Sequence, residues 1–162
     1  MKKYFAEFIG TYFLLSTVVG SGIMAERLSM GNDAIALLAN AIATGATLIV
    51  FISIFINISG AHFNPVVSVI MYLRNKIKLN QTIFFIIVQI FGGILGVWTI
   101  HFIFELEILQ LSGNIRTGIP QYSSEILATF GLIFVILMSE KYNPDKIPIL
   151  VGLYITSAYW FT

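Results

Sequence analysis

The chain has 162 residues, 57% of them hydrophobic and 10% charged, with a mean hydropathy of +0.90. That balance excludes an ordinary soluble domain and points to a protein dissolved in lipid. The net charge of +1 implies no polyanionic partner such as nucleic acid, and the absence of cysteine excludes disulfides.

Lys2 and Lys3 precede an apolar run, Tyr4–Ala25. It is too long for a signal peptide, carries Glu7, and ends at Met24-Ala25-Glu26 without a small-x-small cleavage site. It reads as a retained first span. A second span covers Ala34–Ile56. Asn57–Leu73 then reads as a re-entrant segment. Asn64 suits a helix N-cap and Pro65 the first helical position, so Val66–Leu73 follows as a half-length helix. At ~1.5 Å per residue it reaches only about half of a ~30 Å hydrocarbon core. A helix that stops midway belongs where it lines a cavity or is buried in protein.

The third span is Thr82–Phe104. Glu105–Tyr122 is a long, turn-rich loop with Gly113, Asn114, Gly118 and Pro120. The fourth span is Ser123–Met138, and Glu140–Lys146 is a tight turn through Asn143-Pro144. The fifth, Ile147–Thr162, is about 16 residues and at the short limit for crossing. The reading is an all-α membrane protein forming a single transmembrane domain over residues 1–162.

Seven of the nine basic residues, Lys2, Lys3, Arg74, Lys76, Lys78, Lys141 and Lys146, fall on one side of this arrangement; Arg27 and Arg116 fall on the other. The excess marks the first side as cytoplasmic, which puts the N-terminus inside a plasma or inner membrane. If Asn57–Leu73 crossed the membrane, Arg74, Lys76 and Lys78 would move outside and the asymmetry would collapse. The half-helix is therefore expected to return to the face it came from.

Small residues mark where helices approach closely: Gly92 and Gly96 in the third span, Ala41 and Gly45 in the second. The stretch Ala6–Leu15 also matches Ser124–Ile133 at a spacing of 118 residues, with Glu7 over Glu125 and Thr11 over Thr129. An odd number of spans separates the copies, so they are inverted in the membrane, as in many channels and transporters. The first repeat is about 1–105 and a partial second about 122–162. The partner of the Asn64-Pro65 loop would fall beyond Thr162, so the sequence reads as the front two-thirds of a longer protein.

Three strings now carry a resemblance: Ala6-Glu7-Phe8-x-Gly10-Thr11, Ser59-Gly60-Ala61-His62-Phe63-Asn64-Pro65, and Gln89-x-x-Gly92-Gly93. Together they resemble the aquaporin and glycerol-facilitator family, the major intrinsic proteins. The resemblance implies an inverted-repeat helical bundle with two re-entrant half-helices, a pore in each subunit and a homotetramer. This sequence departs from the family pattern at Val66, where the family usually has Ala, and in having no second Asn-Pro-Ala loop, following arginine or sixth span.

Asn64 is expected to donate its amide to a passing water or hydroxyl, backed by the positive end of the half-helix. By the resemblance, the carbonyls of Gly60, Ala61, His62 and Phe63 form an acceptor ladder, and Pro65 and Val66 complete the motif. Glu7 and Glu125 are ionisable groups inside spans; the resemblance implies that such carboxylates hold the re-entrant loops, Glu7 having its loop in this sequence and Glu125 lacking one, its partner falling beyond Thr162. His62 alone, and likewise His101, reads first as a packed residue. Thr44 falls at the position that resembles the family's selectivity filter. Its small polar side chain suits a pore wide enough for glycerol, urea or metalloid acids.

The expected function is a passive channel for water or small uncharged solutes, with no enzymatic step, cofactor or metal. The alternative is a truncated, non-conducting fragment, or a half that needs a complementing chain. With one re-entrant arm missing, the 162 residues alone are not expected to form a selective pore. A secondary transporter would need a coupled ion site, for which Glu7 and Glu125 are the candidates. A membrane enzyme would need a convergent nucleophile, base and metal-ligand set, and the sequence offers none.

Overall fold

The computed structural model describes residues 1–110, 113 and 116–162. Asn114, expected in the long connecting loop, lies outside them. The described chain forms α1 (Lys2–Leu28), α2 (Asp33–Ser59), α3 (Pro65–Leu73), α4 (Leu79–Ile103), α5 (Ile119–Tyr142) and α6 (Ile147–Ala158), with a 3₁₀ turn at Pro144–Lys146 before α6. Helices α1, α2, α4 and α5 are each long and apolar enough to cross a membrane.

Local chemistry accounts for the helix ends. Asn32 caps α2 by accepting the Ile35 N–H at 3.1 Å. Left-handed Gly60 closes α2, at φ +94°. Asn64 caps α3, with Pro65 at the start of the helix. The 9 residues of α3 make it about 14 Å long.

The fifth span is shorter than the expected Ile147–Thr162. Helix α6 ends at Ala158, and Trp160 and Phe161 donate to the carbonyls of Ser157 and Ala158, three residues back. Such bonds tighten a last turn. Side-chain bonds from Tyr159 to Thr44 and from Thr162 to Ser124 fix where that turn lies.

Helix α1 lies against α4 and α2, α2 against α6, α6 against α5, and α3 against α4. Lipid removes most of the hydrophobic drive between helices, so close backbone approach has to supply the packing. A Cβ on Gly92 or Gly96 would stand 2.4 Å from the carbonyl oxygen of Phe8 or Tyr12 on α1. Gly45 and Gly152 play the same part between α2 and α6, where a Cβ on Gly152 would stand 2.6 Å from the Gly45 carbonyl oxygen.

Two contacts show that α3 leaves by the end at which α1 begins. The Lys3 ammonium donates to Gln81 at the start of α4. Arg74 and Lys76, just after α3, pair with Glu140 near the end of α5. The chain therefore descends α2, folds back to mid-depth through Gly60–Asn64, and returns along α3. The buried apolar cluster Leu48, Ile52, Ala61, Phe63, Val67, Leu132 and Val151 gathers α2, α5 and α6 around that loop.

Candidate functional site

The loop Gly60–Asn64 has an unusual backbone. Besides Gly60, Ala61 (φ +50°) and Phe63 (φ +46°) are left-handed, a region that strains residues with a Cβ. Glu7 of α1 holds them there. Its carboxylate is fully buried, 0% exposed. Oε1 accepts the Ser59 hydroxyl at 2.5 Å and the His62 N–H at 3.0 Å. Oε2 accepts the Phe63 N–H at 2.8 Å and the Gln89 side-chain amide at 2.8 Å. Four donors from the protein satisfy this buried carboxyl group without water.

The same bonds orient the opposite side of the loop. Ser59 Oγ accepts the Ala61 N–H at 3.0 Å, so three successive N–H groups turn toward Ser59 and Glu7. No peptide is cis. In a planar trans peptide the carbonyl points opposite to its N–H. The carbonyls of Gly60, Ala61 and His62 therefore face away from Glu7. Among the described residues no protein donor meets the carbonyl oxygens of Gly60, Ala61, His62 or Phe63. All four residues line a cavity of about 260 Å³.

Secondary contacts lock the frame. The Gln89 amide also donates to Ser68 Oγ at 3.1 Å, Ser68 Oγ donates to the Asn64 carbonyl at 3.2 Å, and His62 Nδ1 lies 3.0 Å from Ser68 Oγ. Gln89 Oε1 is buried with no partner among the described residues. Gly10 makes room for the loop, since a Cβ there would fall 2.0 Å from the Phe63 ring. His62 is thus a hydrogen-bonded framework residue that also borders the cavity. His101 lies elsewhere and bonds the Ile108 carbonyl through Nδ1 at 3.0 Å.

Asn64 stands where three spaces meet: the main cavity, an open groove of about 560 Å³ between α1, α3 and α4, and a vestibule of about 480 Å³ on the far side of the bundle. Its Oδ1 accepts the Val66 N–H at 2.7 Å, which leaves the NH₂ group as its remaining donor. Pro65 borders the groove, and Val66 is 45% exposed.

Among the described residues, no Lys, Arg, Asp or Glu lines the main cavity. Leu48, Ile52, Leu132, Val151 and Ile155 supply much of its apolar lining. Thr44 lines the cavity as well. It is 2% exposed, and its Oγ1 lies 3.0 Å from the Tyr159 hydroxyl and 3.3 Å from Asn40 Oδ1. Tyr159 lines both the cavity and the vestibule, so the Thr44–Tyr159 pair stands at their boundary. The sequence reading missed Tyr159. An aromatic with a polar tip at the end of a span was visible, but its register against Thr44 is a long-range contact.

Glu125 sits in different surroundings from Glu7. It is exposed, and its partner among the described residues is the Gln121 amide at 3.4 Å on its own helix. It borders the vestibule with Arg116 and Asn64 and meets no re-entrant loop within the described residues. The physical reason is the lack there of the inward-turned N–H groups that surround Glu7.

A free acceptor ladder, one amide donor and an uncharged cavity can pass small polar neutral molecules in hydrogen-bonded contact while leaving an ion's hydration uncompensated. The family profile described as Major intrinsic protein matches residues 1–161. Aquaglyceroporin AqpS of Rhizobium meliloti is 45% identical over 161 residues, which cover 99% of this chain and 69% of that protein. Aquaporin NIP1-1 of Arabidopsis thaliana is 32% identical over 146 residues, 84% of this chain and 48% of that one. The X-ray structure of the aquaglyceroporin from Plasmodium falciparum superposes with a TM-score of 0.81 at 22% identity, over 98% of this chain and 71% of that one, and shows a shared fold. The chain thus spans between 48% and 69% of the length of these two sequence relatives.

Proposed function

This chain belongs to the major intrinsic protein family, and we propose that it contributes the wall of a passive membrane channel for water and small uncharged solutes. The observation that carries the proposal is the row of unpaired carbonyls from Gly60 to Phe63 on an uncharged cavity. Asn64 then acts as the donor in mid-path. A water that turns its oxygen toward the Asn64 amide and the N-terminus of α3 cannot pass a proton onward, and the positive end of α3 opposes cations. Glu7 keeps the carbonyls aimed. The Thr44–Tyr159 pair is the selective constriction. The small side chain of Thr44 favours solutes of glycerol, urea or metalloid-acid size, and a 45% identical relative carries the name aquaglyceroporin.

The N-terminus is placed in the cytoplasm, supported by the seven basic residues on that side. A homotetramer, which the family implies, is part of the same reading and is testable by crosslinking in lipid. A second reading has its own observation. The groove beside Thr11, Phe63, Asn64, Pro65, Gln89 and Trp98 is open, so a complementing chain seated there would finish the wall and residues 1–162 alone would not conduct.

Stopped-flow light scattering on proteoliposomes carrying this chain separates the two. Water permeability above the lipid background, with re-swelling in glycerol, is the outcome expected of the channel. Water flux without glycerol uptake removes the wide-pore version. Flux at the lipid background assigns residues 1–162 to the second reading.

A further inference from the structure

At the end of the bundle where α3 finishes, the main cavity continues into a mouth of about 250 Å³. The two spaces share Gly60, His62, Met71, Ile136 and Ile147 as walls. Two charged side chains line the mouth: Lys76, in the turn after α3, and Glu140, near the end of α5. They are paired, with Lys76 Nζ 2.9 Å from Glu140 Oε1. Arg74, the C-cap of α3, takes the other oxygen, Oε2. Lys141, Asp145 and Lys146 are close in sequence to Glu140, but none of them lines the mouth.

The geometry is directional. One carboxylate on α5 is gripped through both oxygens by two cations from the turn that ends α3. Helix α3 rests on α4. Among the described residues, the Glu140 pairs are the polar ties between the C-terminal end of α3 and α5. The excess of basic residues on this side accounts for Arg74 and Lys76. It does not account for an acid set between them.

We propose that Glu140 is a positioning residue, forming with Arg74 and Lys76 an ionic clasp that holds the end of α3 against α5 and keeps the mouth narrow and its lining charges cancelled. Unpaired, Lys76 and Arg74 would gather anions at the opening, and an unpaired Glu140 would gather cations. The clasp thus bears on which solutes reach the loop carbonyls. In treating this opening as an end of the solute path, the inference rests on the channel reading; the clasp itself does not.

The chain has no cysteine, so one introduced thiol is unique. Met71→Cys puts it on the wall shared by cavity and mouth. In lipid nanodiscs, its rates of reaction with an anionic sulfonatoethyl and a cationic trimethylammonioethyl methanethiosulfonate report the width and charge of the mouth. Added to Met71→Cys, Glu140→Gln is expected to raise both rates, and the anionic-to-cationic ratio about 3- to 10-fold, because two cations lose their partner. Lys76→Gln is expected to shift the ratio the other way, and it carries the test if Glu140→Gln does not fold. The reversed set Arg74→Glu, Lys76→Glu and Glu140→Lys is expected to return both rates to within about two-fold of the parent, since opposite charges still face each other. Unchanged rates in both single variants, or rates that stay raised in the reversed set, would overturn the clasp. Labelling needs no flux, so a failed permeability assay with the expected labelling pattern removes the channel reading and leaves the clasp standing.

Discussion

Glu7 and Glu125 each sit near the start of a long apolar helix, and each is followed four residues later by a threonine. Their surroundings are opposite. Glu7 is sealed among Ser59, His62, Phe63 and Gln89 and accepts four hydrogen bonds. Glu125 faces the vestibule and meets Gln121 of its own helix. The difference shows what makes an intramembrane carboxylate a scaffold. The acid does not do it alone; a strained loop has to turn its N–H groups inward to meet it.

Removing each acid in turn would put the largest strain on that comparison. Glu7→Ala takes the acceptor from the Ser59 hydroxyl, from two backbone N–H groups and from one of the two Gln89 amide hydrogens, at about 1–3 kcal/mol each. A loss of at least about 4 kcal/mol, or failure to fold, is expected in detergent unfolding, against a change within about 0.5 kcal/mol for Glu125→Ala. Equal losses at the two positions would remove the contrast.

Next in size is the seat of the loop. Gly10→Ala drives a methyl into the Phe63 ring and is expected to cost about 1–3 kcal/mol. Gly93→Ala on α4, whose nearest neighbour would be an ordinary 3.5 Å contact with Leu15, is expected to stay within about 0.5 kcal/mol. Thermal unfolding of the pair sharpens the assignment of strain to the Glu7 side.

Gln89→Leu removes one donor to Glu7 and one to Ser68 but also deletes a buried, unpartnered Oε1. The opposing effects predict a loss of only about 0.5–1.5 kcal/mol. A loss as large as that of Glu7→Ala would move the centre of the scaffold from the carboxylate to the amide. Thr44→Val should have a small effect on stability, under about 1 kcal/mol, since only the hydroxyl contacts to Tyr159 and Asn40 are lost. Its expected signature is a changed ratio of glycerol to water flux in reconstituted vesicles. An unchanged ratio would remove the constriction from Thr44.

Much of this arrangement was legible beforehand. Hydropathy located the spans, and the basic residues alone required Asn57–Leu73 to return to its starting side. Asn64-Pro65 announced a cap and a first helical residue, and α3 begins there. Gly92 and Gly96 announced a close approach without naming α1 as the partner. Glu125 is like Glu7 in sequence, but that likeness says nothing about the donors that must surround a carboxylate. No proline, glycine or charge marks the end of α6 at Ala158. Side-chain bonds to α2 and α5 fix the last turn instead.

The sequence by itself determined a lipid-dissolved helical bundle, a half-length helix capped by Asn64, and the side to which that helix returns. These depend on apolar run length, cap chemistry and the count of charges near span ends, all local quantities. Only the tertiary structure decided that the Glu7 carboxylate gathers the loop N–H groups, that the carbonyls of Gly60, Ala61 and His62 thereby point away from that carboxylate, and that Tyr159 meets Thr44. Those depend on hydrogen bonds between groups 52 to 115 residues apart. Local pattern carries no record of such pairings, because lipid makes every apolar helix face nearly equivalent until polar groups and glycine contacts choose among them.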